Sequence, residues 1–334
     1  MCSLLSPRPT LYTEMLHARA VVARRDNLHR LMGPVLPNLV VQLGGSEPEF
    51  MARAAEVLQA YGAPAINLNL GCPSQNVQNS CFGATLMKDP DRVVAICQAI
   101  NAATDLPLSI KCRIGVDHQD TDQFLHDFIH AVTSQTRVTE VIIHARKALL
   151  KNIPARKNLT VPPLNYDRVY GVATAFPHLR IILNGGIASV DAVRQGLDRV
   201  DGVMLGRKMM HDPLFLVDID REIYGQPVDR TSVRDKILPG LLDYLDAEQA
   251  SGVKSVSLLT RPVQHMYENR LGRTFRGILA RRVSRRAAAQ SVRVSTLVRE
   301  CLEEARTTVA GLQEKAHSVA PVRPEPQVVR AMSM

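Results

Sequence analysis

Long hydrophobic runs are missing from this 334-residue sequence. No stretch approaches the ~20 consecutive apolar residues that a membrane-crossing helix requires, so no membrane partner is expected. The opening residues, Met1-Cys2-Ser3-Leu4-Leu5-Ser6-Pro7-Arg8, are too short and too broken for a secretory signal. Cysteine is scarce and unpatterned. The six residues, at positions 2, 72, 81, 97, 112 and 301, make no CxxC and no other metal-ligand spacing. This excludes a metal centre from the expectations, and it reads as reduced thiols in an intracellular protein, not a disulfide framework. No GxGxxG follows any strand-like run, which argues against a doubly wound dinucleotide-binding sheet. Acidic residues are nearly absent from one region. Lys254–Arg299 holds eleven Lys or Arg against one acid, Glu268, in a chain whose total charge is +9. A basic block on a near-neutral body suggests a polyanion such as RNA or DNA, with a solvated helical face as the alternative on charge alone.

What is present is a hydrophobic content of 46% with 22% charged residues, which fits a soluble globular protein with a sizeable core. Short apolar runs recur at Leu11–Met15, Leu39–Leu43, Ala65–Gly71, Leu108–Gly115, Glu140–Ala145, Ile181–Gly186 and Gly202–Arg207. Amphipathic helical stretches lie between them: Glu47–Tyr61, Asp89–Ala103, Thr121–Thr133, Asp167–Phe176 and Ser189–Gly196. Ser46 followed by Glu49 predicts a capping box at the first of these, and Gly62 predicts its end. Regular alternation implies parallel βα units, and seven of them suggest a (β/α)8 barrel with one strand unaccounted for. From about Pro227 the pattern becomes helical. Ile237, Leu241, Leu242 and Leu245 share one helix face, as do Val294, Leu297, Val298, Cys301, Leu302 and Ala305. The expected organisation is a barrel over 1–226, a helical domain over 227–312 and a disordered tail over 313–334.

Polar residues cluster at the C-terminal ends of the runs, where active sites of such barrels form. They include Gln42, Asn69, Lys111 with Arg113, His144, Asn184 and Arg207. The run Asn67-Leu68-Asn69-Leu70-Gly71-Cys72-Pro73 places Asn67 and Asn69 on one face. Two inward amides pack poorly unless that face binds a polar planar ligand, and the thiol of Cys72 sits just beyond. Lys111 and Arg113 alternate with Ile110, Cys112 and Ile114, so two cations point inward and call for an anionic partner. Asn184-Gly185-Gly186 and Gly206-Arg207 end two late strands, where barrels often bind phosphate through backbone N–H groups. His144, with Lys111, Gln42 and those loops, completes a flavin cradle, in which Lys111 suits the N1 and O2 edge.

Read in order, these motifs resemble the tRNA-dihydrouridine synthases of the A-type subfamily. The matching residues are Gln42-Leu43-Gly44-Gly45, Asn67 to Pro73 with Gly83-Ala84, and Lys111-Cys112-Arg113-Ile114-Gly115. They continue with His144-Ala145-Arg146-Lys147-Ala148, Pro162-Pro163-Leu164, Asn184-Gly185-Gly186-Ile187 and Gly202-Val203-Met204-Leu205-Gly206-Arg207. The resemblance covers about 11–226 and continues weakly to about 286. It implies an FMN-dependent barrel enzyme, with NADPH as reductant, that reduces uridine in the tRNA D-loop at position 20 or 20a. It implies Cys72 as the proton donor to C5, with Cys81 as second choice. It implies Gln42, Lys111, His144, Asn184, Gly185, Gly186, Gly206 and Arg207 around FMN, and Asn69 facing the uracil. For RNA it implies Arg156 in the loop after His144, and Arg282 with Arg285 three apart on one helix face. The loop's second basic position falls on Leu159, and Ser284 stands where the family has an aromatic residue. The family begins with a strand carrying an Ala-Pro-Met turn, whereas Met1 enters here just before the second strand. The expected product is therefore a monomeric cytoplasmic enzyme on a barrel short of its first βα unit, with two unpaired edges. The alternatives are an inactive tRNA-binding copy and a small-molecule flavin reductase of the dihydropyrimidine type.

Overall fold

The computed structural model describes residues 1–151, 153–252, 255–286 and 292–318. The chain divides into two compact units, Met1–Arg234 and Asp235–Met334. The first unit holds eight short strands: β1 (Leu11–Tyr12), β2 (Leu16–His17), β3 (Leu39–Gly44), β4 (Ala65–Asn69), β5 (Leu108–Arg113), β6 (Glu140–His144), β7 (Arg180–Asn184) and β8 (Gly202–Met204). All pair in parallel in the order β1-β3-β4-β5-β6-β7-β8, with β2 also on β3. Leu11 pairs with Leu39 but Leu16 pairs with Leu43, so the register slips by one residue between β1 and β2. The run expected as one strand is thus two pieces of one edge, separated by a bulge at 13–15.

Helices separate the strands and start where the sequence offers capping oxygens. Asp89, Thr121, Asn165 and Ser189 each accept from a backbone N–H in the first turn of the helix that follows. The helix Pro48–Tyr61 departs from expectation. Glu47 is its N-cap without a side-chain bond, and the Ser46 hydroxyl donates instead to the Ser80 carbonyl. No capping box forms, because Pro48 opens this helix with no N–H to satisfy. Its other end is as expected, with Gly62 in the left-handed region at φ 91°.

The sheet curls. Laid flat, β1 and β6 would stand about 19 Å apart at ~4.8 Å per strand. Yet the Tyr12 hydroxyl reaches Glu140 Oε1 at 3.3 Å, and Glu140 also pairs with Arg180 at 3.4 Å. Seven places of a (β/α)8 barrel are therefore filled, and among the described residues no strand joins β8 to β1. The segment ahead of β1 packs towards the helix Phe215–Glu222, which follows β8. Ser6 Oγ donates to the buried Asp220 carboxylate at 2.9 Å, and the Arg8 guanidinium lies 5.3 Å over the Tyr224 ring. The core lies between sheet and helices: Ile66, Leu68, Ile110, Cys112, Val141, Ile143, Ile181 and Leu183 face outward into it.

The second unit is helical. Leu241, Leu242 and Leu245 are buried on one helix, Phe275 and Leu279 on the helix Asn269–Arg286, and Val294, Leu297, Val298, Cys301, Leu302 and Ala305 on the helix Val294–Ser318. The apolar stripes expected there are this unit's core. The last helix passes the expected end at Leu312 and runs to Ser318, and the rest of the expected tail lies outside the described residues.

Candidate active site

A cleft of about 520 Å³ opens at the C-terminal ends of the strands. Most of the residues singled out from the sequence converge there. Cys72 lies on the turn after β4, Lys111 and Arg113 on β5, His144 on β6, Asn184 at the end of β7 with Gly185 and Gly186 beyond it, and Gly206 and Arg207 after β8. Asn69 also lines the cleft, whereas Gln42 and Arg156 do not. No Asp or Glu lines it.

The inward amides have a different explanation from the one expected. Ser109 Oγ accepts from Asn67 Nδ2 at 2.9 Å, and Asn67 Oδ1 accepts from Gln42 Nε2 at 2.9 Å. Gln42 Oε1 accepts from Asn69 Nδ2 at 2.8 Å. Asn69 Oδ1 then receives the backbone N–H groups of Gly71 and Cys72, at 3.2 and 3.0 Å. Asn67 is fully buried within this ladder, so its amide serves its neighbours and not a ligand. Side-chain amides on adjacent strands satisfy one another at the depth where apolar packing would otherwise be required. The last rung fixes the turn that carries Cys72. From the other side Gly83 closes on that turn: a Cβ there would stand 2.6 Å from the Cys72 carbonyl oxygen, and φ is 67°. Cys81 sits apart on the following turn and is exposed.

The two inward cations divide their work. Arg113 is buried and does not await an anion: Nε donates to Gly71 O at 2.8 Å, and Nη1 donates to Lys147 O and Asn158 O at 3.2 Å each. Backbone carbonyls hold it, so the anionic partner expected for the pair is unnecessary for this member. Burial lowers the Arg113 value to about 10. Lys111 makes no hydrogen bond or ion pair among the described residues, and burial followed by repulsion from Arg113 lowers it to about 8. His144 is pushed down to about 2, first by burial and then by Arg113, Lys111, Arg146 and Arg207. It is a neutral imidazole at any working pH. An anion that enters this cleft meets an unpaired ammonium and no competing carboxylate.

The glycine loops are shaped for close approach. Gly185 has φ 118° and a Cβ there would stand 2.6 Å from His144 Cδ2; Gly186 has φ 71°. Tyr166 Oη donates to Gly185 O at 2.6 Å, and Asn184 Nδ2 to Met204 O at 2.8 Å, so both loops are braced. At Gly206 a Cβ would meet nothing within 4 Å and would project into open space. Arg207 Nη2 donates to Leu159 O at 3.4 Å, which brings Leu159, the position without a phosphate contact, into the cleft wall.

The residues expected to hold RNA lie elsewhere. Arg156 is exposed on the short helical turn Ala155–Leu159. Arg282 pairs with Glu300 Oε2 at 2.7 Å and with Glu304 within the second unit, so its guanidinium is engaged by acids of the following helix. The side chain of Arg285 lies outside the described residues. Sequence reasoning passed over Asn67 and Ser109 as a ladder, Lys208 and His211 as lining, and Arg146 as a charge acting on His144. Asn67 and Arg146 carried signals, the first as an inward amide on β4 and the second inside the His144–Ala148 motif. Among the described residues no cluster of three His, Cys, Asp or Glu could hold a metal ion, and no helix is long and apolar enough to cross a membrane.

Comparison with known proteins bears on this geometry. The family model for dihydrouridine synthase (Dus) matches residues 1–300. A tRNA-dihydrouridine(20/20a) synthase of Xanthomonas campestris pv. campestris is 41% identical over 280 residues, 83% of this chain and 82% of its own. A protein of the same name from Xanthomonas axonopodis pv. citri is 38% identical over 307 residues, 91% of this chain and 88% of its own. One from Vibrio cholerae is 37% identical over 271 residues, 80% and 81% of the two chains.

Proposed function

The chain belongs to the dihydrouridine synthase family, and on that premise we propose that it reduces uridine 20 or 20a of the tRNA D-loop to 5,6-dihydrouridine, with FMN as cofactor and NADPH as its reductant. The observation that carries this reading is the acid-free cationic cleft with a thiol-bearing turn on its wall. The residues present fit FMN. Lys111 is an ammonium without a partner among the described residues, and Gly206 leaves space where a Cβ would intrude. Lys111 and His144 would hold the flavin, and Asn184, Gly185, Gly186, Gly206 and Arg207 its phosphate; Gln42 would act one step removed, through Asn69. When bound, FMN would supply the hydride that C6 of the uracil receives.

The chain's own residues do the rest. Cys72 gives its thiol proton to C5, so that one hydride and one proton saturate the double bond. Asn69 Oδ1 and Gly83 hold the Cys72 turn in place before substrate arrives, which is preorganisation of the donor. Asn69 Nδ2 carries two hydrogens and gives one to Gln42, so the other is the group it offers a uracil carbonyl. His144, uncharged, can hydrogen-bond the flavin without adding to the positive charge that Lys111 brings. Because the base must leave its stack to enter the cleft, basic surface residues hold the RNA; Arg156 and Arg282 are assigned to that task. We place the protein in the cytoplasm, acting as a single chain.

The test is direct. Purified protein incubated with FMN is expected to acquire a flavin spectrum, and with NADPH and unmodified tRNA to form dihydrouridine. Cys72→Ala is expected to keep the flavin and lose the product. A colourless protein that rejects FMN would overturn the enzyme reading and leave the tRNA-binding one. Wild-type product from Cys72→Ala would remove the cysteine from its role.

A further inference from the structure

The backbone of the turn that carries Cys72 is held carbonyl by carbonyl. Gly71 O accepts from Arg113 Nε at 2.8 Å, Cys72 O from the Ala84 N–H at 2.9 Å, and Pro73 O from Gln78 Nε2 at 2.9 Å. Gln78 belongs to the short helix Gln75–Asn79, which Ser74 caps just after the turn. Its amide also donates to Leu150 O at 3.0 Å, in the loop after β6. Both partners are carbonyls, which only accept, so the orientation of this amide is fixed by its neighbours. Arg113 makes the same crossing, from Gly71 O to Lys147 O and Asn158 O. The carbonyls on either side of Cys72 are thus both tied to the loop after β6, across β5, which lies between β4 and β6.

The far end of the tie is itself firm. Leu149 and Leu150 have all four of their backbone polar groups bound by side chains. Leu149 N donates to Asn158 Oδ1 at 2.7 Å, and Leu149 O accepts from Asn158 Nδ2 at 2.9 Å. Leu150 N donates to Asp117 Oδ1 at 2.8 Å, and Leu150 O accepts from Gln78. Asn158 is fully buried. Asp117 stands in the left-handed region at φ 53°, with its other oxygen on Lys88 Nζ at 2.7 Å. A dipeptide satisfied in this way is a fixed point, because moving it would unpair several polar groups at once.

Gln78 therefore links a fixed point to the residue next to the thiol. Pro73 follows Cys72 directly, and its ring locks one of the few rotations that could absorb a shift between them. A reacting group displaced by about 1 Å can cost about a hundredfold in rate. We propose that Gln78 is a positioning residue for proton delivery: its amide, shared between Pro73 O and Leu150 O, sets the Cys72 thiol against the loop after β6. The role rests on the reading of Cys72 as proton donor and adds to it what aims that donor. The same loop supplies Leu159 to the cleft, so the donor and one stretch of the cleft wall share a single frame.

The experiment compares Gln78→Met, which keeps the length and loses both donors, with Gln78→Glu, which puts an oxygen where Nε2 donates. In Gln78→Met, kcat on tRNA is expected to fall about tenfold to a hundredfold. KM for tRNA, flavin content and the rate of flavin reduction by NADPH should not change. Gln78→Glu is expected to fall further, whereas a role in packing alone would leave it like the wild type. The solvent deuterium isotope effect on product formation should rise in both, because the misaimed step is the one that moves a thiol proton. With neither cofactor nor substrate present, the amides of Cys72 and Leu150 should exchange faster together in Gln78→Met. Wild-type kcat in both variants overturns the role while the enzyme reading stands. A raised KM with kcat unchanged also overturns it, since the amide would then serve binding. Lost flavin or early melting in both variants overturns it too, since the amide would then hold the fold and not the donor. A wild-type protein that makes no dihydrouridine overturns the enzyme reading and takes the positioning role with it.

Discussion

Replacing Asn69 by alanine tests whether the amide ladder serves the turn or the ligand. The substitution removes three hydrogen bonds: those from Gly71 N and Cys72 N at 3.2 and 3.0 Å, and the one to Gln42 Oε1 at 2.8 Å. At about 1 kcal/mol net for each, the local loss is about 3 kcal/mol. The two N–H groups on the turn account for about 2 kcal/mol of that, a factor of about thirty in the opening equilibrium of the turn. Backbone amides at Gly71 and Cys72 should therefore exchange with deuterium about tenfold to a hundredfold faster in Asn69→Ala. Amides of the helix Pro48–Tyr61, to which no ladder bond runs, should keep their protection. Asn69→Asp separates the two ends of the residue, because it keeps an acceptor for the turn and loses the donor to Gln42. It should restore most of the protection at Gly71 and Cys72. Unchanged exchange at those two amides in Asn69→Ala, with activity lost, would refute the reasoning. The amide would then act on the substrate alone.

Two further outcomes follow from charge. Lys111 is an ammonium below about 8 and is neutral above it, so affinity for anionic FMN should fall as pH rises through that value. At pH 9 the charged fraction has dropped about tenfold, and a fluorescence titration should show affinity falling by up to that factor. His144, at about 2, adds no inflection in this window, and Lys111→Met should abolish it. In the second unit, Arg282 is held by Glu300 and Glu304. Changing both acids to glutamine should tighten tRNA binding and steepen the log–log salt slope by up to about 0.9, because the released guanidinium can then neutralise one more phosphate. An unchanged slope would remove Arg282 from the RNA surface.

The alternation of strands and helices was legible because burial on both faces of a parallel sheet leaves continuous apolar runs, and these survive in the sequence. The cations of β5 were legible for a related reason: Lys111 and Arg113 interrupt Ile110, Cys112 and Ile114 at a period of two. What each cation does was not legible. Arg113 is satisfied by the carbonyls of Gly71, Lys147 and Asn158, which belong to the connections after two different strands, and no local pattern announces a carbonyl. The amide ladder was half legible. Asn67 and Asn69 stand out on β4, but their partners Gln42 and Ser109 come from β3 and β5, and pairing across strands depends on register. The capping box failed for a nearer cause. Ser46 and Glu49 have the right spacing, but Pro48 sets where the helix begins and Ser46 turns to Ser80.

The sequence took two inward cations as a demand for one anionic partner, and the structure separates that demand into two. Arg113 is consumed in joining the Cys72 turn to the loop after β6, since its donors end on Gly71 on one side and on Lys147 and Asn158 on the other. Among the described residues Lys111 is left without a partner, and Arg207 at the rim makes the long bond to Leu159. Burial first, and then the charge of these cations, holds His144 neutral. A cleft arranged in this way is costly to keep empty, because Lys111 carries its charge at neutral pH in a buried position with like charges as neighbours. An anion that pairs with Lys111 relieves that repulsion, and by linkage a ligand that binds only the folded state raises its stability. Lys111 within and Arg207 at the rim, both of which act on His144, are the positions the proposed function gives to the two ends of one ligand.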